Sequence, residues 1–538
     1  MKTNPNHSSF ASVPFAIVTC LIATFVCGCL TTQTFAQEKR PRRRPPVKTE
    51  DAPKNTDKAT TESKDSEPQR DGEVLAIVGG DIHTVSGPVI RQGTILVKDG
   101  KIIEVGQTVA IPENAKIMDA KGKTVTPGFV AISMSRLAVR STPTGKDKLA
   151  DAFDPFDRNI KYALGVGITT GCMELSTGGR GFRRRAGEPE ALFSGLEKPA
   201  VEYVTESMLD YGDENTSLCP CCGLPILPTE PITPTPPRTA TPRKMAVIKL
   251  SYGNLDAMLV KENAFYSPSP GALNGALNKH NWRIAIKKTK EAIATNEKAD
   301  KEKAAAANAK PSTKTAGSSS SSTSTAKKPT TKKVSVKPEL LALIKGETVM
   351  RVRANSVTEI RDMVNLANEL GYGIVIEGGI EAWAIAQELG AGEVGVIYTP
   401  RQRRNPRDGF EKTSGSFVES PKLFQETGVP FAIATLSNSI SMNGLAGRDL
   451  TSLPLEAAFA VRGGASERQA LEAVTMAPAK MMGLDDRIGS IEKGKDADIL
   501  ILNGAPLDYR TYVEQAIVAG KVSYDRSKDR VYPVYDRQ

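Results

Sequence analysis

The stretch 476–507, MAPAKMMGLDDRIGSIEKGKDADILILNGAPL, constrains the chain more than any other. It reads as helix, tight turn, strand, turn and strand. Pro478 sits where a first helical turn tolerates proline, and Gly483 is placed to end the helix. Ile488, Ile491 and the run Ile499–Leu502 supply buried strand surface, while Gly489 and Gly494 supply turns. The whole chain has 538 residues, enough for two or more domains and a large core.

Charge is spread unevenly. The formal excess is +10, yet residues 287–337 alone hold thirteen lysines against Glu291, Glu297, Asp300 and Glu302. The rest of the chain is therefore near neutral. It shows no basic groove with interleaved aromatics, which argues against a nucleic-acid enzyme. Histidine is scarce: His7, His83 and His280 are the full set. The seven cysteines form no paired CxxC zinc pattern and no CxxCH haem pattern.

Residues 1–36 read as an export signal, with Lys2 as its one charge, an apolar run over 14–30 and small residues at Thr34-Phe35-Ala36. This predicts an exported protein, periplasmic or extracellular, with membrane contact only through the signal segment. Lipid anchoring through Cys29 is the alternative. Residues 37–72 are charged and Pro-rich and read as a disordered linker. Residues 73–126 alternate as strands bounded by turns, and Asp99-Gly100 is a strong hairpin signal. Residues 213–244 form an irregular insert containing CPCC. There Cys221 and Cys222 could pair with each other, with Cys219 or with Cys172, and export makes a disulfide reasonable. Residues 287–336 read as a disordered Lys/Ser-rich insert, and 283–309 could begin as a helix. In the following α/β stretch, MRVRAN and IVIEGG read as strands. Ile360, Met363, Val364, Ala367 and Leu370 fall on one helical face. Ser466 and Gln469 fit a capping box.

The order A-P-A, G-L, R-I-G-S-I, G-K-D-A-D-I-L-I-L within 476–502 resembles the C-terminal signature of the amidohydrolase superfamily, and the strand MRVRAN resembles its imidazolonepropionase-like branch. The resemblance implies an α/β fold: a (β/α)8 TIM-like barrel over 127–484 plus a small discontinuous β-sandwich made from 73–126 and 485–530. It implies hydrolysis of carbon–nitrogen bonds other than peptide bonds only if the metal site is intact. His83 falls in the sandwich, where the family has no ligand, so a structural or exposed histidine is expected.

A hydrolytic metal needs several His or carboxylate ligands at strand ends to lower the pKa of bound water to about 7. The family places H-x-H just after a strand like PGFVAI. Here PGFVAISMS puts Ser133 and Ser135 at those positions. By the same resemblance Arg353 and Asn355 replace a second histidine pair, Glu377 replaces a histidine, and Leu436 replaces the acidic ligand. The expectation is a pseudo-enzyme with no metal cofactor, acting as a binding or scaffold protein for a small molecule or a protein, with a homo-oligomer open. Arg353 and Glu377 are expected to pair near Ser133 and Ser135. The competing expectation is a hydrolase holding Zn2+ or another divalent metal on Glu174, Glu377 and His280, active on substrates such as cyclic amides. A third is a surface protein whose Lys-rich insert and RPRRRPP tether engage anionic polymer.

Overall fold

In a computed structural model of the protein, residues 74–140, 149–175, 242–269, 271–308, 334–410, 412–441, 447–529 and 531 are described. All lie in one unit, Pro68–Gln538. The expected signal, the linker, most of the CPCC insert and most of the Lys/Ser-rich insert fall outside the described residues.

In chain order the strands are β1 Leu75–Ile82, β2 Ile90–Lys98, β3 Lys101–Gly106, β4 Lys116–Asp119, β5 Thr124–Pro127, β6 Phe129–Met134, β7 Ile168–Leu175, β8 Lys244–Lys249, β9 Leu259–Lys261, β10 Phe265–Tyr266, β11 Val349–Ala354, β12 Ile374–Gly378, β13 Gly395–Tyr398, β14 Phe431–Ile433, β15 Ile499–Leu502, β16 Val513–Val518 and β17 Lys521–Asp525. Asp99 and Gly100, with φ of 50° and 77°, close the β2–β3 hairpin as the Asp-Gly pair predicts. The first five strands and the last three meet in one eight-stranded sheet, because Ile499–Leu502 pairs antiparallel with Thr124–Pro127. Leu75, Ile77, Ile95, Val125, Ile499 and Ile501 form its apolar layer.

The α/β body carries a five-stranded sheet, β10-β11-β12-β13-β14, parallel throughout, and a four-stranded sheet, β6-β7-β8-β9. No ladder closes the two into a ring among the described residues. They touch at both edges: Ala264 N donates to Met245 O at 2.8 Å, and Ser135 N to Asn438 O at 2.8 Å. Val130 N and Ile433 N donate to the consecutive carbonyls Val474 O and Ala473 O. The expected all-parallel order fails at one strand. β8 runs antiparallel to β7, with Leu175 opposite Lys244. The end of β7 and the start of β8 therefore lie at the same end of the sheet.

The helix Val357–Leu370 buries Ile360, Met363 and Ala367 as its spacing predicts, and its start is a capping box formed by Ser356 and Glu359. Ser466 caps the helix Glu467–Glu472 through Gln469 N. Two expectations are corrected. The stretch around Ile488 and Ile491 buries both side chains but forms no strand, because Ile491 N bonds to Thr84 O outside any ladder. The first part of the insert expected to be disordered, 287–308, lies within a helix spanning Gly275–Asn308. Trp282 anchors that helix on Tyr372 by a 3.0 Å hydrogen bond, and Arg283 meets Glu369 at 2.7 Å. Among the described residues no helix is long and apolar enough to cross a membrane.

Candidate functional site

Charged side chains gather at one end of the body's strands, where a strand period of two brings Glu174, Arg351 and Glu377 onto one face. Because β8 is reversed, Arg243, just before its first residue, arrives at the same end. Arg351 is the central member. Its side chain is only 2% exposed, and its Nε donates to Glu377 Oε2 at 2.9 Å. Its Nη1 donates to Ile132 O at 2.9 Å, its Nη2 donates to Ser133 Oγ, and its guanidinium lies over the Phe265 ring at 5.5 Å. The register of β6 slips between Ala131 and Met134, so the Ile132 carbonyl and the Ser133 hydroxyl both reach the same guanidinium.

Arg243 extends the network. Its Nη1 contacts both oxygens of Glu174 at 3.2 Å, and its Nη2 lies 3.9 Å from Glu377 Oε2. The sequence of contacts is therefore Glu174, Arg243, Glu377, Arg351, Ser133. Burial works to raise the pKa of Glu377, but the charges of Arg351 and then Arg243 outweigh it and hold the carboxyl below its ordinary range. Glu377 is thus ionised at neutral pH.

The expected pairing of Glu377 with Arg353 does not form. Arg353 stands directly across the ladder from Glu377, yet its side chain is exposed and makes no ion pair with the described residues. Arg351, two residues earlier on the same face, sits beside Val375, and its long stem carries the guanidinium up to Glu377. The other expected positions separate. Ser135 Oγ donates to Asn438 Oδ1 at 2.8 Å rather than joining the network. Asn355 has a buried, unpartnered Oδ1 packed close to Gly378, and Leu436 sits half-buried in the bend after β14. Arg243 and Arg351 were not singled out from sequence. The signal for Arg351 was a charge inside the apolar alternation VMRVRA.

The described residues at the strand ends offer no free ligand set for a hydrolytic metal. Among the described residues no group of three or more His, Cys, Asp or Glu could hold one. His280 is exposed on the helix Gly275–Asn308, and the two carboxylates at the strand ends already hold guanidiniums. Cys172 is a free, buried thiol among Val130, Ile132 and Phe265, and burial pushes its pKa up to about 11. Cys219, Cys221 and Cys222 lie outside the described residues.

A second buried cluster lies at the other end of β8. Lys249, 3% exposed, holds Asp496 and Asp498 at 2.9 Å each, and Asp496 also meets Lys101 and Arg487 at 2.9 Å. It ties the body to the eight-stranded sheet.

The model of the amidohydrolase family matches residues 414–532. A dihydroorotase of Anaeromyxobacter dehalogenans (strain 2CP-C) is 41% identical over 58 residues, which is 11% of this chain and 13% of that protein. A dihydroorotase of Anaeromyxobacter sp. (strain K) is 40% identical over 58 residues, again 11% and 13%. The chain thus spans only about an eighth of these relatives' length. An amidohydrolase from Thermotoga maritima MSB8 shares the fold, with 21% identity, a TM-score of 0.52, and coverage of 84% of this chain and 100% of that one.

Proposed function

Taking as premise a chain that belongs to the amidohydrolase superfamily, with the family's C-terminal region at 414–532, we propose that it is an exported, metal-free binding protein. In this reading the body is a (β/α)8-type barrel, and the eight-stranded sheet is the accompanying sandwich. The strand ends that would otherwise hold a catalytic metal hold an ion-pair network instead. The observation that carries the reading is Arg351: a buried fixed cation whose three nitrogens all have partners at the strand ends. A divalent cation between Glu174 and Glu377 would lie against two guanidiniums, and its carboxylate ligands would first have to release them. What the strand ends offer a partner is the exposed Arg353 and the half-exposed edges of both glutamates, a surface suited to a small polar molecule or a protein segment.

Elemental analysis of protein expressed with added zinc, iron and manganese tests this. The expected result is substoichiometric metal after dialysis. Stoichiometric metal that survives dialysis would overturn the reading. A metal-dependent hydrolase of non-peptide carbon–nitrogen bonds is the competing function, supported by the family match and the dihydroorotase likeness. Chelator-sensitive turnover of cyclic amides or N-acyl amino acids would establish it in place of the binding protein.

A further inference from the structure

A cleft of about 780 Å³ opens between the eight-stranded sheet and the helices Leu453–Arg462 and Glu467–Glu472. It shares no lining residue with the charged strand ends. Small-molecule sites commonly enclose roughly 300–1,000 Å³ and favour such junctions between layers. The walls are apolar: Val85 and Val89 from the β1–β2 connection, Leu455 and Phe459 from the first helix, Leu471 from the second and Leu507 from the β15–β16 connection.

The wall at Val85 is held in an unfavourable conformation. Its φ of 71° is a left-handed value that a β-branched residue rarely adopts. The surroundings impose it: Thr84 O accepts from Ile491 N at 3.1 Å, and Thr84 Oγ1 accepts from Gly87 N at 3.0 Å. The fold thus keeps a strained turn in place, and Val85 forms part of the cleft wall.

The charges at the rim select the ligand. Asp508 and Arg510 satisfy each other, with Arg510 Nη2 at 2.6 Å. Glu467, Arg462 and Arg468 are exposed at the rim, and none of their side chains has an ion pair or hydrogen bond among the described residues. Burial lowers the pKa of His83, so it adds no charge at neutral pH. The rim therefore has two free guanidinium forks and a local excess of one positive charge. Planar forks match carboxylates. Apolar walls disfavour a body rich in hydroxyls or amides, whose groups would lose water without gaining partners. Glu467 disfavours a dianion.

We propose that this cleft binds a free monocarboxylate with a hydrocarbon body, of the medium-chain fatty acid type, its chain along Phe459 and Leu471 and its carboxylate at Arg462 and Arg468. Calorimetric titration of the full chain with decanoate below its aggregation threshold tests it, with decanol and decyl phosphate as comparators. Expected is saturable one-to-one binding of decanoate, weakened about tenfold or more in the double variant Arg462→Gln/Arg468→Gln. Ala458→Phe, which fills the cleft, should abolish it. Lys116→Gln, which removes an exposed positive charge outside the cleft, should leave it unchanged. Thermal unfolding identifies any variant that has lost its fold, and the charge variants carry the test if Ala458→Phe is one. Equal binding of decanol, tighter binding of decyl phosphate, an unaffected double variant, or no saturation below the aggregation threshold would each overturn the proposal.

Discussion

Replacing Glu377 by alanine removes the one carboxylate bonded to a cation that water scarcely reaches. Arg351 is 2% exposed, and without Glu377 its guanidinium keeps, among the described residues, two neutral acceptors, the Ile132 carbonyl and the Ser133 hydroxyl, and the Phe265 ring. Breaking a buried pair in this way costs about 3–5 kcal/mol, because the surviving charge stays desolvated. Glu377 is itself 24% exposed, so water partly replaces it, and the low end, about 3 kcal/mol, is expected. The assay is urea unfolding followed by the fluorescence of Trp282 and Trp383, which pack on Tyr372 and Phe417. With m near 3 kcal/mol per molar, the midpoint should fall by about 1 M. Arg353→Ala, which alters an exposed side chain, should stay within about 0.5 kcal/mol of the parent. The double variant Arg351→Met/Glu377→Ala should recover part of the loss, since no charge is then stranded. A Glu377→Ala protein as stable as the parent, or Arg353→Ala as damaging as Arg351→Ala, would refute the reasoning.

Other outcomes follow from the same geometry. For Asp496, burial acts to raise the carboxyl pKa, but Lys249, Lys101 and Arg487 outweigh it and bring it down to about 2 from 3.8. The unfolded chain then binds the proton more readily, so stability should fall by on the order of 2 kcal/mol as pH drops through that interval. Asp496→Asn should lose this part of the acid dependence in pH-stepped denaturation. Cys172, buried with its pKa near 11, should resist iodoacetamide at pH 8 until the protein is unfolded; peptide mass spectrometry that finds it alkylated in native protein would contradict its placement. Gly390→Ala should destabilise by about 1–3 kcal/mol in the same urea assay, because the added Cβ would lie 1.9 Å from Thr427 O, and backbone yields poorly.

What could be read from the sequence is what short-range chemistry decides. Asp99-Gly100 specifies its hairpin whatever surrounds it, and the face of Val357–Leu370 follows from spacing alone. Depth and direction are tertiary properties. Alternation in VMRVRA puts Arg351 and Arg353 on one face but cannot say which lies under Phe265 and which reaches solvent. The direction of β8 is equally hidden, because MAVIKL has the same pattern read either way. The helix expected to begin within 283–309 was legible because alanine, lysine and glutamate are strong helix formers; that Trp282 fixes it on the body is a tertiary contact that spacing does not show.

Those two hidden properties together explain how the site is built. One face of the chain from Arg243 to Lys249 reads arginine, methionine, valine, lysine at alternate positions, and Met245 and Val247 pack with Ile132, Cys172 and Val375 in one apolar cluster. A strand with a charge at each end of an apolar face needs a counter-charge at both ends. The D-A-D of the C-terminal signature provides one, holding Lys249 with Asp496 and Asp498. Glu174 and Glu377 provide the other, around Arg243. Had β8 run parallel to β7, Arg243 would lie at the Lys249 end, and Glu174 would have lost the arginine that now holds it. The reversal thus places a second guanidinium at the strand ends, beside both carboxylates.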